Sequence, residues 1–352
     1  MPPPCHSTAV FAPLLVLLAC SPEAGTGRAA WRDNQPSPGP DPALAAAGVN
    51  APTASASHAA EDTVVLRPPI DVVRFVALGD PGMGDRNQFA VADAVAAVCA
   101  TQGCDFAVLL GDNIYNSGVE HVDDPQFEAK FEIPYSNVDF PFYPALGNHD
   151  YGGGGAGHEF WKWEYYLDYS ERSDKWVFPA RYYRVDAGVV ELFALDTNAI
   201  VWGMLEDQVA WLDERVPRST ANWTIAYGHH PYRSNGHHGN AGVYDGRAGD
   251  GVDPIGDGAY MKEALEAAVC GKVDLFLCGH DHNLQWLADT CGGTELIVSG
   301  AAGKSSSLEG ENEALFEDDV LGFFWVEVSA DELTGVFYDD FGEELYRRTL
   351  QK

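Results

Sequence analysis

Six short, mostly apolar runs, each halted by a polar cluster, constrain this 352-residue chain more than any other feature. Residues 73–78 lead into Gly79-Asp80, 106–110 into Gly111-Asp112-Asn113, and 142–146 into Gly147-Asn148-His149-Asp150. Residues 191–195 lead into Asp196, 223–227 into Gly228-His229-His230, and 274–278 into Gly279-His280-Asp281-His282. Runs this short and this nearly continuous are the pattern of strands buried on both faces. Helical spacings over 88–98, 206–216 and 260–269 separate several of them. Strand–helix alternation predicts an α/β fold with a largely parallel sheet. Later runs at 296–299, 323–328 and 335–338 lack long helical spacers and read as antiparallel strands. The expected architecture is two packed mixed β-sheets flanked by helices.

In open α/β sheets, ligands bind at the carboxyl ends of the strands, and each polar cluster falls at such an end. Side chains spread from residue 80 to residue 282 would then converge along one edge. Asp, Asn, His and Tyr supply oxygen and nitrogen donors and no thiolate, a set that suits Fe, Mn or Zn rather than an iron–sulfur or structural zinc site. There are enough donors for two ions about 3.5–4 Å apart, an arrangement suited to phosphoryl hydrolysis. Asp112, central in the series, is placed to bridge them.

The ordered set Gly79-Asp80-x-Gly82, Gly111-Asp112-x-x-Tyr115, Gly147-Asn148-His149-Asp150, Gly228-His229 and Gly279-His280-Asp281-His282 resembles the purple acid phosphatases of the calcineurin-like metallophosphoesterase superfamily. Residues 277–285 (LCGHDHNLQ) are especially similar to the small, single-domain, tartrate-resistant type. The resemblance spans roughly residues 72–303. It implies an α-β-β-α sandwich and an acid phosphatase that cleaves phosphate monoesters with a metal-bound hydroxide. A phosphodiesterase or nucleotide hydrolase on the same centre is the alternative.

The resemblance also implies the ligands. Fe(III) would take Asp80, Asp112, Tyr115 and His282, and a divalent Fe, Zn or Mn would take Asp112, Asn148, His229 and His280. Tyr115 is the mark of the purple subgroup, whose colour comes from phenolate-to-Fe(III) charge transfer. His149 and His238 are implied as the groups that help expel the leaving alkoxide, with His237 a rival to His238. Asp150 reads as orienting His149 or a ligand, and His230 as a packing residue or one that supports a ligand, rather than a ligand itself. The glycine run 152–157 reads as a mobile rim, and 235–258 as a flexible loop that sets specificity.

Charge and cysteine usage bear on partners and compartment. With 21 Lys+Arg against 53 Asp+Glu, the net charge is −32. That leaves no basic surface to neutralise phosphates, so nucleic acid is excluded as a structural partner; the expected partner is a small phosphorylated substrate, and the expected state a monomer. Residues 9–19 (AVFAPLLVLLA) read as the apolar part of an export signal within 1–20. Leu17-Leu18-Ala19-Cys20 resembles a lipoprotein box, although Met1 to Thr8 lacks the usual Lys or Arg. Membrane attachment would run only through lipidated Cys20; without it the chain is secreted. In 21–60, 26 of 40 residues are Ala, Pro, Gly or Ser, so 21–61 reads as a tether and 62–352 as the metallophosphoesterase domain. Cys99 with Cys104 and Cys270 with Cys291 are candidate disulfides in an oxidising compartment, and Cys278 a small core residue.

Overall fold

The computed structural model describes residues 62–247, 249 and 253–352. The export signal, Cys20 and the tether lie outside them. Among the described residues fourteen strands follow in chain order: β1 (Thr63–Ile70), β2 (Val73–Leu78), β3 (Phe106–Leu110), β4 (Phe142–Ala145), β5 (Tyr183–Gly188), β6 (Val190–Ala194), β7 (Trp223–Tyr227), β8 (Leu275–Cys278), β9 (Leu284–Leu287), β10 (Glu295–Ser299), β11 (Ala314–Asp318), β12 (Gly322–Val328), β13 (Glu332–Asp339) and β14 (Glu344–Gln351). The α-helices are α1 (Arg86–Gln102), α2 (Trp163–Tyr169), α3 (Thr197–Val201), α4 (Glu206–Arg215) and α5 (Ala259–Ala268). One sheet has eight strands in the order β1-β5-β6-β7-β8-β10-β9-β11, the other six in the order β14-β13-β12-β2-β3-β4. Both are mixed: β2-β3-β4 and β6-β7-β8-β10 run parallel, with antiparallel strands at their flanks.

The layers can be read from which core each residue enters. In the eight-stranded sheet Leu192, Ile225, Leu277 and Ile297 join a core shared with Phe75, Val108 and Phe324 of the six-stranded sheet. Their neighbours Phe193, Ala226, Phe276 and Val298 join a second core with Leu212 of α4 and Met261 and Leu265 of α5. Alternate residues point to opposite faces of a strand, so both faces of these strands are dry. That is why the runs are continuously apolar. A slip of one residue would swap every side chain between the two cores, so the register is firmly set. On the other side, α1 begins at Asp85, whose carboxylate accepts the Asn87 and Gln88 N–H groups, satisfying donors that a helix start leaves open.

The run at 296–299 departs from the antiparallel expectation. β10 lies parallel to β8, with Leu296 opposite Phe276, and antiparallel only to β9. A parallel pair needs a return crossing; here strand β9 supplies it instead of a helix, and the short spacer concealed it. Among the described residues Cys99–Cys104 and Cys270–Cys291 form two disulfides, and Cys278 is buried and pairs with neither.

Candidate metal centre

Each predicted ligand leaves the carboxyl end of a core strand. Asp80 follows β2, Asp112 and Tyr115 follow β3, and Asn148 follows β4, so every oxygen donor rides on the six-stranded sheet. His229 follows β7, and His280 and His282 follow β8, so every nitrogen donor rides on the eight-stranded one. The strand ends meet where a glycine precedes the ligand. A Cβ on Gly279 would fall 2.4 Å from Asp80 Oδ2, and one on Gly111 would fall 2.6 Å from His229 Cβ. The residues that follow turn sharply: Asp80, Asp112 and His280 have φ of 59°, 53° and 69°. Such left-handed conformations are costly for non-glycine residues and gather at functional sites.

The donors form two groups. In one, Tyr115 Oη lies 2.8 Å from Asp80 Oδ1 and 3.0 Å from His282 Nε2, and His282 Nε2 lies 3.3 Å from Asp80 Oδ1. In the other, His229 Nε2 lies 2.9 Å from Asn148 Oδ1, 3.0 Å from His280 Nδ1 and 3.4 Å from Asp112 Oδ2. Donor atoms of Asp80, Asp112 and His229 all lie within 4.8 Å of one another, which places Asp112 between the groups. Bonds of about 2.0–2.2 Å to one ion would separate neighbouring ligands by about 3–3.4 Å, so the spacing fits.

The remaining atoms of these side chains are tied off. Asp80 Oδ2 accepts the His280 N–H at 2.7 Å and Asp112 Oδ1 the His149 N–H at 2.8 Å. Asn148 Nδ2 donates to Gly155 O at 2.7 Å, turning Oδ1 inward. His229 Nδ1 lies 2.9 Å from Leu110 O, a contact that fixes the proton on Nδ1 and frees Nε2 as a ligand. The electrostatics call for positive charge. Burial alone would lower His229, but the Asp112 and Asp80 carboxylates outweigh it and carry the imidazole up to about 9. Burial, then Asp112 and Asp80, push the Tyr115 phenol well above its ordinary value, so a phenolate here needs a cation. The residues present fit two metal ions.

The flanking residues divide. The His149 ring centroid lies 4.4 Å from that of Tyr115, with Nδ1 2.7 Å from Asn116 O and Nε2 3.9 Å from Asp112 Oδ2. His238 stacks on His280 at 4.0 Å, and its Nδ1 lies 2.8 Å from Asp245 Oδ1. The rival His237 is exposed and turned to Glu309. Of the two roles read for Asp150, the structure favours the second, for it does not touch His149 but holds the loops of the candidate ligands. Its carboxylate accepts from the backbones of Asn113, Ile114 and Gly147, the Asn113 amide and the Tyr166 hydroxyl. Fully buried, it braces the loops that carry Asp112, Tyr115 and Asn148, with no oxygen left to face a substrate. Residues 152–157 are likewise not a loose rim: Gly155, Ala156 and Gly157 are bonded within a turn, and Gly155 O holds Asn148.

Sequence reasoning missed Thr197 and Asn198. They stand immediately after the Asp196 that ends the β6 run, so carrying the strand-end rule two residues further would have found them. Thr197 Oγ1 accepts the N–H groups of His229 and His230. It also missed Asp281, whose carboxylate accepts the N–H groups of His238 and Gly239 and seats that loop beside His280. Beside the second donor group a cavity of about 290 Å³ is lined by Asn148, Asn198, Trp202, His230 and Tyr244. A wider hollow of about 560 Å³ lies between residues 234–246 and 309–312, and His238 and Asp245 border both.

The family model for calcineurin-like phosphoesterases matches residues 73–284, the span that holds both donor groups, and the chain belongs to that family. Its place within the family is with the purple acid phosphatases. Purple acid phosphatase 3 of Arabidopsis thaliana is 31% identical over 305 residues, covering 78% of this chain and 76% of that one. Tartrate-resistant acid phosphatase type 5 of Sus scrofa is 27% identical over 325 residues, covering 81% of this chain and 88% of that one. Among solved structures, GAP50, described as the anchor in the inner membrane complex of Plasmodium, shares the fold with a TM-score of 0.63 at 21% identity, covering 80% of this chain and 89% of that one. A shared fold alone does not fix an activity; the side chains of the site must carry it.

Proposed function

We propose that this chain is a binuclear metal-dependent acid phosphatase that cleaves phosphate monoesters. The supporting observation is that seven side chains aim donor atoms into two adjoining groups that share Asp112. We assign Fe(III) to Asp80, Asp112, Tyr115 and His282, and a divalent Fe, Zn or Mn to Asp112, Asn148, His229 and His280. When bound, the two cations would neutralise charge on the phosphoryl oxygens and lower the pKa of water at the site. The protein's own part is to hold the leaving alcohol and meet its developing charge. His149 directs Nδ1–H to the Asn116 carbonyl, leaving Nε2 toward the phosphoryl group. His238, held through Nδ1 by Asp245, covers the other side.

Metal analysis with a visible spectrum tests the assignment. The iron-loaded protein is expected to be violet, and Tyr115→Phe to lose the band while keeping the ring beside His149. A colourless iron-loaded wild type sinks the Fe(III)–tyrosine assignment. Rates on mono- and bis-p-nitrophenyl phosphate test the reaction; a strong preference for the diester would make the chain a phosphodiesterase.

We also propose that the chain is exported as a monomer, with 1–20 as signal, Cys20 as lipid attachment point and 21–61 as tether to the 62–352 domain. Two disulfides support an oxidising compartment. Wild type is expected in the membrane fraction and Cys20→Ser in the soluble one; identical fractionation of the two refutes lipid attachment.

A further inference from the structure

The cavity beside the second donor group holds a polar atom that neither the metals nor the packing uses. His230 is only 4% exposed and borders the cavity. Its Nδ1 and backbone N–H both meet Thr197 Oγ1. Among the described residues its Nε2 has no hydrogen-bond partner, and the ring that carries it lines the cavity.

The hydroxyl beneath it fixes the tautomer. Thr197 Oγ1 accepts the His229 and His230 N–H groups, both at 3.0 Å, which fills its two lone pairs. Its one proton has a single remaining neighbour, His230 Nδ1 at 3.0 Å. Nδ1 therefore accepts and the ring's proton sits on Nε2. A doubly protonated ring would aim a third donor at the same hydroxyl, which has no lone pair left for it.

We propose that His230 Nε2–H donates to the alcohol portion of the substrate and so selects phosphate esters whose leaving group carries an acceptor oxygen. This rests on the phosphatase reading above. With phosphorus over the donor groups, the alcohol extends into the cavity between Asn198, Trp202 and Tyr244. A hydroxyl or carbonyl oxygen there satisfies Nε2–H. An alkyl group displaces water from it and leaves it unpaired, and that cost is the source of discrimination.

The test compares kcat/KM for glycerol 3-phosphate and propyl phosphate, esters of similar length, on the metal-loaded full chain. Wild type is expected to prefer the glycerol ester about tenfold. His230→Phe brings the ratio toward one, and His230→Gln, whose Nε2 replaces that of the ring, keeps most of it. Inhibition by inorganic phosphate, which occupies only the metal side, stays unchanged in both variants. A wild-type ratio near one, or a matching loss of phosphate inhibition, overturns the proposal and leaves the phosphatase reading standing. No hydrolysis of these esters or of p-nitrophenyl phosphate overturns both. Should His230→Phe fail to fold, the wild-type ratio still decides, as does the 15N spectrum of histidine-labelled, zinc-loaded protein; a proton on His230 Nδ1 overturns the proposal.

Discussion

Asp112→Asn is expected to lower kcat/KM for p-nitrophenyl phosphate by at least about 10³-fold, the equivalent of about 4 kcal/mol of transition-state stabilisation. Asparagine matches aspartate in size and can still accept the His149 N–H, so folding should survive. What changes is the atom facing His229 Nε2 at 3.4 Å and the charge shared by both donor groups. Burial alone would raise the Asp112 carboxyl, yet His229 and His149 together outweigh it and hold the group below the usual carboxylate range. The site is thus organised around this anion, and under the proposed assignment a neutral amide would leave both cations short of a ligand. Elemental analysis should fall from two ions per chain to one or none. Wild-type turnover with two ions retained would refute the bridging role.

Gly111→Ala should do comparable damage by another route. Gly111 has φ of 86°, a left-handed conformation that alanine adopts only with strain. The new methyl would also stand 2.6 Å from both Cβ and Nδ1 of His229. Strain and overpacking together are expected to cost roughly 2–4 kcal/mol, read from the denaturant midpoint of the metal-free protein. Because the clash falls on the ring that Leu110 O orients, affinity at the second metal position should fall by about 10–100-fold. Unchanged stability and metal binding would mean that the strand ends do not meet as tightly as these contacts require.

The candidate ligand set was legible because each of its residues sits within a few positions of a strand whose apolar run announces it. Asp80, Asp112, Asn148, His229 and His280 come directly after a glycine that closes such a run, and that local grammar survives in the sequence. Asp150 shows the limit. Its place in the Gly147–Asp150 cluster suggested chemistry, but which way a carboxylate faces depends on Asn113 and Tyr166 from other segments. Asp245 reaches His238 from a loop with no periodicity, so nothing in the sequence flags it. Among strands, β14 was invisible because it alternates exposed and half-buried residues at a sheet edge. The two prolines of β1 argue against a strand in a central position, and β1 pairs only at the edge beside β5.

Carboxylates, phenol and amide come from one layer of the sandwich and imidazoles from the other. Each donor group draws on both layers, so cations at this seam would act as a clasp between two leaves of the molecule. Their affinity would count toward global stability, and chelation should loosen this seam first. Whatever pries the leaves apart would disarm the catalyst before the chain has unfolded.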